Sequence, residues 1–282
     1  MSLVIYIVVD ILTENPYSWQ APERRFPVMA TLTVTRVAHA TVLIDLDGQA
    51  ILTDPWFSQR FTYYQGEPLG VPLTSLPDLT GVIVSHGHYD HYDMQAFQAY
   101  PDKLVPFAVK RGIGQAARKV GFQHVTELDA WESTMLGPVK VTAVPGKHGV
   151  PEVTYVLEYD GMTVYFGGDT LLIPELSEIA VRFPSIDLAL LSVNGLRIRP
   201  MLNRKVVMDP EEAAELCRIL HPRYAVPIHY AYTAGPIGDR LLVKHTGKAQ
   251  AFQQAAAQVA PETIVRILAP GEPLAIPQLQ RV

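Results

Sequence analysis

From Met29 onward the chain falls into short apolar runs separated by polar breaks. "TLTVTRV", "TVLIDLD" and "QAILTD" are rich in β-branched residues and predict three strands, with "DLDG" as a hairpin turn. "TGVIVS" is a compact apolar run, the pattern of a buried strand, and "KRGIGQAARKVG" predicts a helix stopped by Gly121. A second strand cluster follows in "VKVTAVPG", "VTYVLEYDG" and "MTVYFGGD", with "YDGM" as a turn, and "SIDLALLSVN" is another buried strand. "MDPEEAAELCRIL" has a helix start written into it: Asp209 as N-cap, Pro210 in the first turn and Glu212 closing a capping box. "RYAVPIHY" reads as a strand, "GKAQAFQQAAAQVA" as a helix and "TIVRILAP" as the final strand. Two strand-rich halves, each followed by helices, predict two sheets packed face to face with helices outside.

The chain has 282 residues, 48% of them hydrophobic, enough for one large core. The expected organisation is a single domain over 29–282, preceded by an extension over 1–28. "MSLVIYIVVDIL" opens that extension. It has no cation before the apolar run, is broken by Asp10 and is far shorter than the ~20 apolar residues of a membrane span, so it reads as an extra strand or an alternative start. A net charge of -5 without a Lys/Arg stripe argues against a dedicated nucleic-acid surface. Cys217 is the one cysteine, set among apolar residues at helical spacing, and reads as a small core residue. Cytoplasmic residence is the expectation, and homo-oligomerisation stays open.

Chemistry enters with "SHGHYDH". Three of the nine histidines and an aspartate crowd the end of a predicted strand. His86 and His88 alternate, so an extended backbone sends both side chains to one side, while Asp90 and His91 come where the chain turns towards a helix. His148, Asp169 and His229 each follow a strand in the same way. Neutral imidazole suits zinc, iron or manganese, and a carboxylate can bridge two cations. The predicted sites are His86, His88 and His148 for one metal and Asp90, His91 and His229 for another, with Asp169 and a water shared. Two divalent ions, Zn2+ first and Mn2+ or Fe2+ as alternatives, could hold a hydroxide that is a nucleophile at neutral pH.

"HGHYDH" resembles the H-x-H-x-D-H signature of the metallo-β-lactamase superfamily, and His148, Asp169 and His229 follow in that family's order. The resemblance runs from about Met29 to "LAPGEPL". It implies an α/β (α+β) fold, the four-layer αββα sandwich, with a dinuclear site at one edge. "RVAHATVLIDLDGQAILTDPWFS" and "MDPEEAAEL" before "PIHY" look like the branch holding ascorbate-6-phosphate lactonases and N-acyl phosphatidylethanolamine phospholipase D. By that resemblance His39 lines the active site, and Asp54 orients a ligand histidine. Cysteine-ligand β-lactamases fit poorly because Cys217 lies mid-helix, and flavodiiron proteins because His88 stands where they carry glutamate.

The expected function is metal-dependent hydrolysis of a phosphodiester, or of a lactone or ester, in a small anionic substrate. Asp90, Asp169 and His39 are the candidate catalytic groups. Arg197 and Arg199, in "NGLRIRPMLNRK", are candidates for holding a phosphate bidentately. The alternatives are an acyl-homoserine lactonase or thioesterase-type hydrolase on the same fold, an iron-dependent redox enzyme, and a non-catalytic metal-binding protein.

Overall fold

The computed structural model describes residues 31–278, so the expected extension over 1–28 lies outside the described residues. Two seven-stranded sheets face each other. The first runs in the order Pro273–Pro277, Thr31–Ala38, Thr41–Leu46, Gln49–Thr53, Gly81–Val84, Phe107–Lys110, Val125–Leu128. The second runs Ile264–Val265, Tyr224–Ile228, Leu188–Ser192, Met162–Phe166, Val153–Tyr159, Val139–Pro145, Ser133–Leu136. Each sheet begins in sequence as an antiparallel meander and continues as parallel strands.

Side-chain alternation explains the layers. In Gly81–Val84, Ile83 enters the core between the sheets with Ile44, Val141, Leu190 and Val226, while Val82 and Val84 pack on the outer face with Phe97, Phe107 and Ala117. Both faces are covered, which is why this strand reads as an unbroken apolar run. Helices Met94–Phe97 and Gln115–Lys119 cover the first sheet, and Ser177–Arg182, Pro210–Leu220 and Ala249–Val259 cover the second. The result is an αββα sandwich. Cys217 sits in the outer core of the second sheet, where burial pushes its thiol up to about 12.

Local sequence features act as their chemistry predicts. Asp47 and Gly48 both take positive φ (52° and 84°), as do Asp160 and Gly161 (44° and 74°), the requirement of a tight two-residue hairpin turn. Asp209 accepts from the Glu212 N–H while Glu212 accepts from the Asp209 N–H, completing the capping box, with Pro210 in the first turn. The helix of "GIGQAARKVG" ends before Gly121, whose φ is +98°.

The last strand differs from expectation. "TIVRILAP" contributes only Ile264–Val265 to the second sheet. Leu268 then inserts between the sheets, and Gly271 turns the chain so that Pro273–Pro277 pairs with Thr31–Thr35 of the first sheet. Proline at both ends of that segment is tolerated because it lies on a sheet edge. The stretch from Asn194 to Lys205, which holds the two candidate arginines, carries two short strands. Arg197–Ile198 pairs with Arg204–Lys205 and with Val243–Lys244, and this small sheet stands over the edge of the sandwich beside helix Gly235–Leu241. Among the described residues no helix is long and apolar enough to cross a membrane.

Candidate metal centre

The strands Thr31–Ala38, Gln49–Thr53 and Gly81–Val84 run in one direction and end at one edge of the first sheet, where His39, Asp54 and His86 follow them. Val139–Pro145, Met162–Phe166 and Tyr224–Ile228 end at one edge of the second, followed by His148, Asp169 and His229. Residues far apart in sequence therefore meet at a single rim. His39, Asp54 and His229 take positive φ (51°, 35° and 59°), a conformation that costs non-glycine residues of order 1 kcal/mol or more and clusters at functional sites.

Donor atoms gather there in groups that share members. His86, His88 and His148 are one, Asp90, His91 and His229, joined by His39, are another, and Asp54, His86 and His91 form a third that links them. In the first group His86 Nε2 lies 2.9 Å from His88 Nδ1, which lies 3.2 Å from His148 Nε2. The opposite ring nitrogens are tied down: His86 Nδ1 to Ser85 Oγ at 2.9 Å, and His148 Nδ1, the donor, to the Val206 carbonyl at 2.7 Å. In the second, His91 Nδ1 meets Asp54 Oδ2 at 2.6 Å, while Asp54 also accepts from the Ser85 N–H and hydroxyl. Asp169 stands between the groups, its Oδ2 at 2.9 Å from His229 Nε2, 3.3 Å from His91 Nε2 and 3.8 Å from His148 Nε2. His39 Nε2 approaches Asp90 Oδ2 at 3.4 Å.

Whether a metal suits these residues can be judged from what they lack. Asp169 Oδ1 is buried with no hydrogen-bond partner, and His91 Nε2 and His229 Nε2 are buried, form no well-directed hydrogen bond and face only the Asp169 and Asp90 carboxylates; buried polar atoms are rarely left so. All belong to side chains that converge on one spot, with imidazole nitrogens and carboxylate oxygens of the kind zinc, manganese and iron accept. The donor set fits a divalent cation.

The electrostatics agree. Burial pushes His88 and His229 down to about 4, so both stay neutral with a lone pair available, and burial holds His86 well below its ordinary value. Burial works against charge on Asp90 and Asp169, but neighbouring imidazoles outweigh it (chiefly His91 for Asp90 and His229 for Asp169) and keep both carboxyls below their usual range. Burial likewise opposes a charged His91, yet Asp169, Asp90 and Asp54 lift its pKa well above normal. Anionic charge is thus retained in a dehydrated place.

Every predicted metal-site residue, with His39 and Asp54, lies in this assembly. The arginines do not. Arg197 Nη1 donates to the Asn203 carbonyl, and Arg199 Nε to the carbonyls of Asp239 and Val243. The loop borders the cavity of about 380 Å³ over the centre, but it presents Leu196, Ile198, Met201 and Arg204 to it. In a two-residue strand neighbours face opposite ways, so Ile198 looks in and Arg197 out.

Glu152 went unnoticed in the sequence. Its Oε1 accepts the Asp169 N–H at 2.6 Å and lies 3.5 Å from His86 Nδ1. Burial, then the charge of Asp169, pushes its carboxyl well above the usual range. An acid in "GVPEVTYV" just before a strand carries no motif, and only its proximity to His86 and Asp169 reveals it.

Comparison with known proteins places this geometry. The family model described as "Beta-lactamase superfamily domain" matches residues 49–230. An N-acyl-phosphatidylethanolamine-hydrolyzing phospholipase D 1 of Caenorhabditis elegans is 29% identical over 228 residues, 71% of this chain and 64% of that protein. A UPF0173 metal-dependent hydrolase of Pelotomaculum thermopropionicum is 29% identical over 253 residues, 85% of this chain and 97% of that protein. The chain spans about half the length (53%) of the mycobacterial curated relatives it matches. Among solved structures, a metallo hydrolase from the archaeon Ignicoccus hospitalis shares the fold with a TM-score of 0.67 at 22% identity, over 88% of this chain and all of that one (100%). The chain belongs to the beta-lactamase superfamily domain family, with the metallo-β-lactamase fold and metal-dependent hydrolases among its relatives.

Proposed function

We propose that this chain, by family a metal-dependent hydrolase, cleaves a phosphodiester in an anionic substrate held over two divalent ions. The observation that carries the reading is the pair of donor groups sharing Asp169 at the floor of one cavity. Ions bound there would supply a water ionised near neutral pH and polarise the bond to be broken. Zinc is the first choice for this nitrogen-rich set, with manganese or iron as alternatives.

The chain's own residues do the rest. Ser85, Val206 and Asp54 fix the ring orientations of His86, His148 and His91. His39, buried and held below its ordinary pKa chiefly by burial, stays neutral and keeps Asp90 in place. Among the described residues Arg204 is the one Lys or Arg lining the cavity, placed to meet the phosphoryl oxygens, while Leu196, Ile198 and Met201 form its apolar wall. The phospholipase D name of the nematode relative supports phosphodiester over lactone chemistry.

The test is turnover of bis(p-nitrophenyl) phosphate and of a lactone panel by metal-reconstituted protein, with Asp169→Asn as control. Phosphodiester turnover that disappears in the variant is expected. Turnover of lactones alone would move the substrate to that class, and turnover of neither would remove the hydrolytic reading.

A further inference from the structure

Around the mouth of the cavity three apolar side chains stand into solvent, two on turns and one on helix Gly235–Leu241: Phe61 is 84% exposed, Leu202 96% and Ile237 75%. Phe61 and Ile237 border an apolar trough, and Leu202 follows Met201 of the cavity wall. Thr62, Ala234 and Leu242 line both trough and cavity, so the two are continuous. Scattered apolar residues need no explanation, but large ones gathered at one rim mark a contact surface.

Charge at the same rim runs against the rest of the chain, whose net charge is -5. Arg60, Arg197, Arg204, Arg240 and Lys244 make no salt bridge to a carboxylate among the described residues. Arg197 lies between Lys205 and Lys244 across the small sheet, an arrangement of like charges that destabilises a sheet unless something else uses it. Asp209 and Glu212 neutralise only Lys205.

We propose that this rim docks the protein on an anionic phospholipid bilayer. Phe61, Leu202 and Ile237 enter the boundary between headgroups and acyl chains, and the surrounding cations meet lipid phosphates. A protein partner fits less well, because a protein interface has a core depleted of charge, whereas here cations alternate with the apolar tips. The tips also come from three separate segments, the turn at Phe61, the turn at Leu202 and helix Gly235–Leu241, and project singly, which suits insertion better than flat packing. Docking in this pose turns the cavity mouth towards the bilayer. The inference rests on the surface and holds whatever reaction the centre performs.

The experiment is cosedimentation of the full chain with vesicles of pure phosphatidylcholine and of equal parts phosphatidylcholine and phosphatidylglycerol, at low and high salt. Binding to the mixed vesicles at low salt, released by high salt, is the expected result. Arg240→Gln with Lys244→Gln should lower the partition coefficient about twenty-five-fold, from roughly a fivefold contribution per charge. Phe61→Ser, Leu202→Ser and Ile237→Ser together should lower it at least about tenfold. All five positions are exposed, and an unchanged melting temperature confirms that each variant folds. Absence of binding to the mixed vesicles would overturn the proposal, as would binding that both variants leave intact. A wild-type dimer that Phe61→Ser dissolves would show instead that a second copy covers the rim.

Discussion

The two halves of the candidate metal centre are built from different materials. His86, His88 and His148 are three imidazoles with no carboxylate among them, two of them steered by uncharged oxygens, Ser85 Oγ and the Val206 carbonyl. Asp90, His91 and His229 include a carboxylate of their own, and His91 is backed by a second, Asp54. The first half therefore depends on the shared Asp169 for anionic charge, whereas the second carries its own. Attraction for a divalent cation grows with the number of anionic donors, so the second half should fill first, and filling of the first should depend on Asp169.

Asp169→Asn gives the largest expected effect because it removes the charge both halves share. Phosphodiester turnover should fall to background, and metal analysis after dialysis should find about one equivalent lost, from the imidazole half. Full metal content together with full turnover would show that Asp169 bridges nothing.

Stripping the metals with a chelator comes next. His91 Nε2, His229 Nε2 and Asp169 Oδ1 are buried without a well-directed hydrogen bond, so the stripped protein should melt lower and recover when zinc returns. At a free metal concentration a thousand times the dissociation constant the stabilisation is about 4 kcal/mol. A melting temperature indifferent to chelation and to added zinc would argue against tight binding.

The orienting groups should separate the halves more finely. Asp54→Asn weakens the acceptor for the His91 N–H and should cost about 10–100-fold in affinity at the second half. Ser85→Ala removes a neutral partner of His86 and should cost less, at the first half. Stepwise calorimetric titration reads both. Equal losses at both halves from each variant would mean that the Asp54–Ser85 hydrogen bonds couple them into one unit.

The candidate centre was legible in the chain because its residues follow strands, and a run such as "VIVSHGHYDH" shows both the strand and the candidate ligands that end it. Layers were legible for a similar reason, since apolar periodicity depends on which faces are covered. Three features were not. Pro273–Pro277 lies between prolines, and only a sheet edge makes that a strand. Glu152 acts through two residues distant from it in sequence. The direction of Arg197 depends on strand parity, which a two-residue strand does not display in its composition.

That last point leads to the smallest effect. Arg204 lines the cavity and makes no salt bridge to a carboxylate among the described residues, while Arg197 points away and donates to the Asn203 carbonyl. If the cavity holds an anionic phosphoryl group, Arg204→Ala removes one charge-assisted hydrogen bond of roughly 1.5–3 kcal/mol and should raise KM by about tenfold or more. Because the interaction is made equally in ground and transition states, kcat should change little. Arg197→Ala should leave both constants for a water-soluble phosphodiester within about twofold, since a surface substitution away from the cavity disturbs little. Steady-state kinetics of the two variants, measured without lipid, isolates the cavity from the rim. An effect of Arg197→Ala equal to that of Arg204→Ala would mean that the small sheet moves when substrate binds, bringing the outward arginine over the metals.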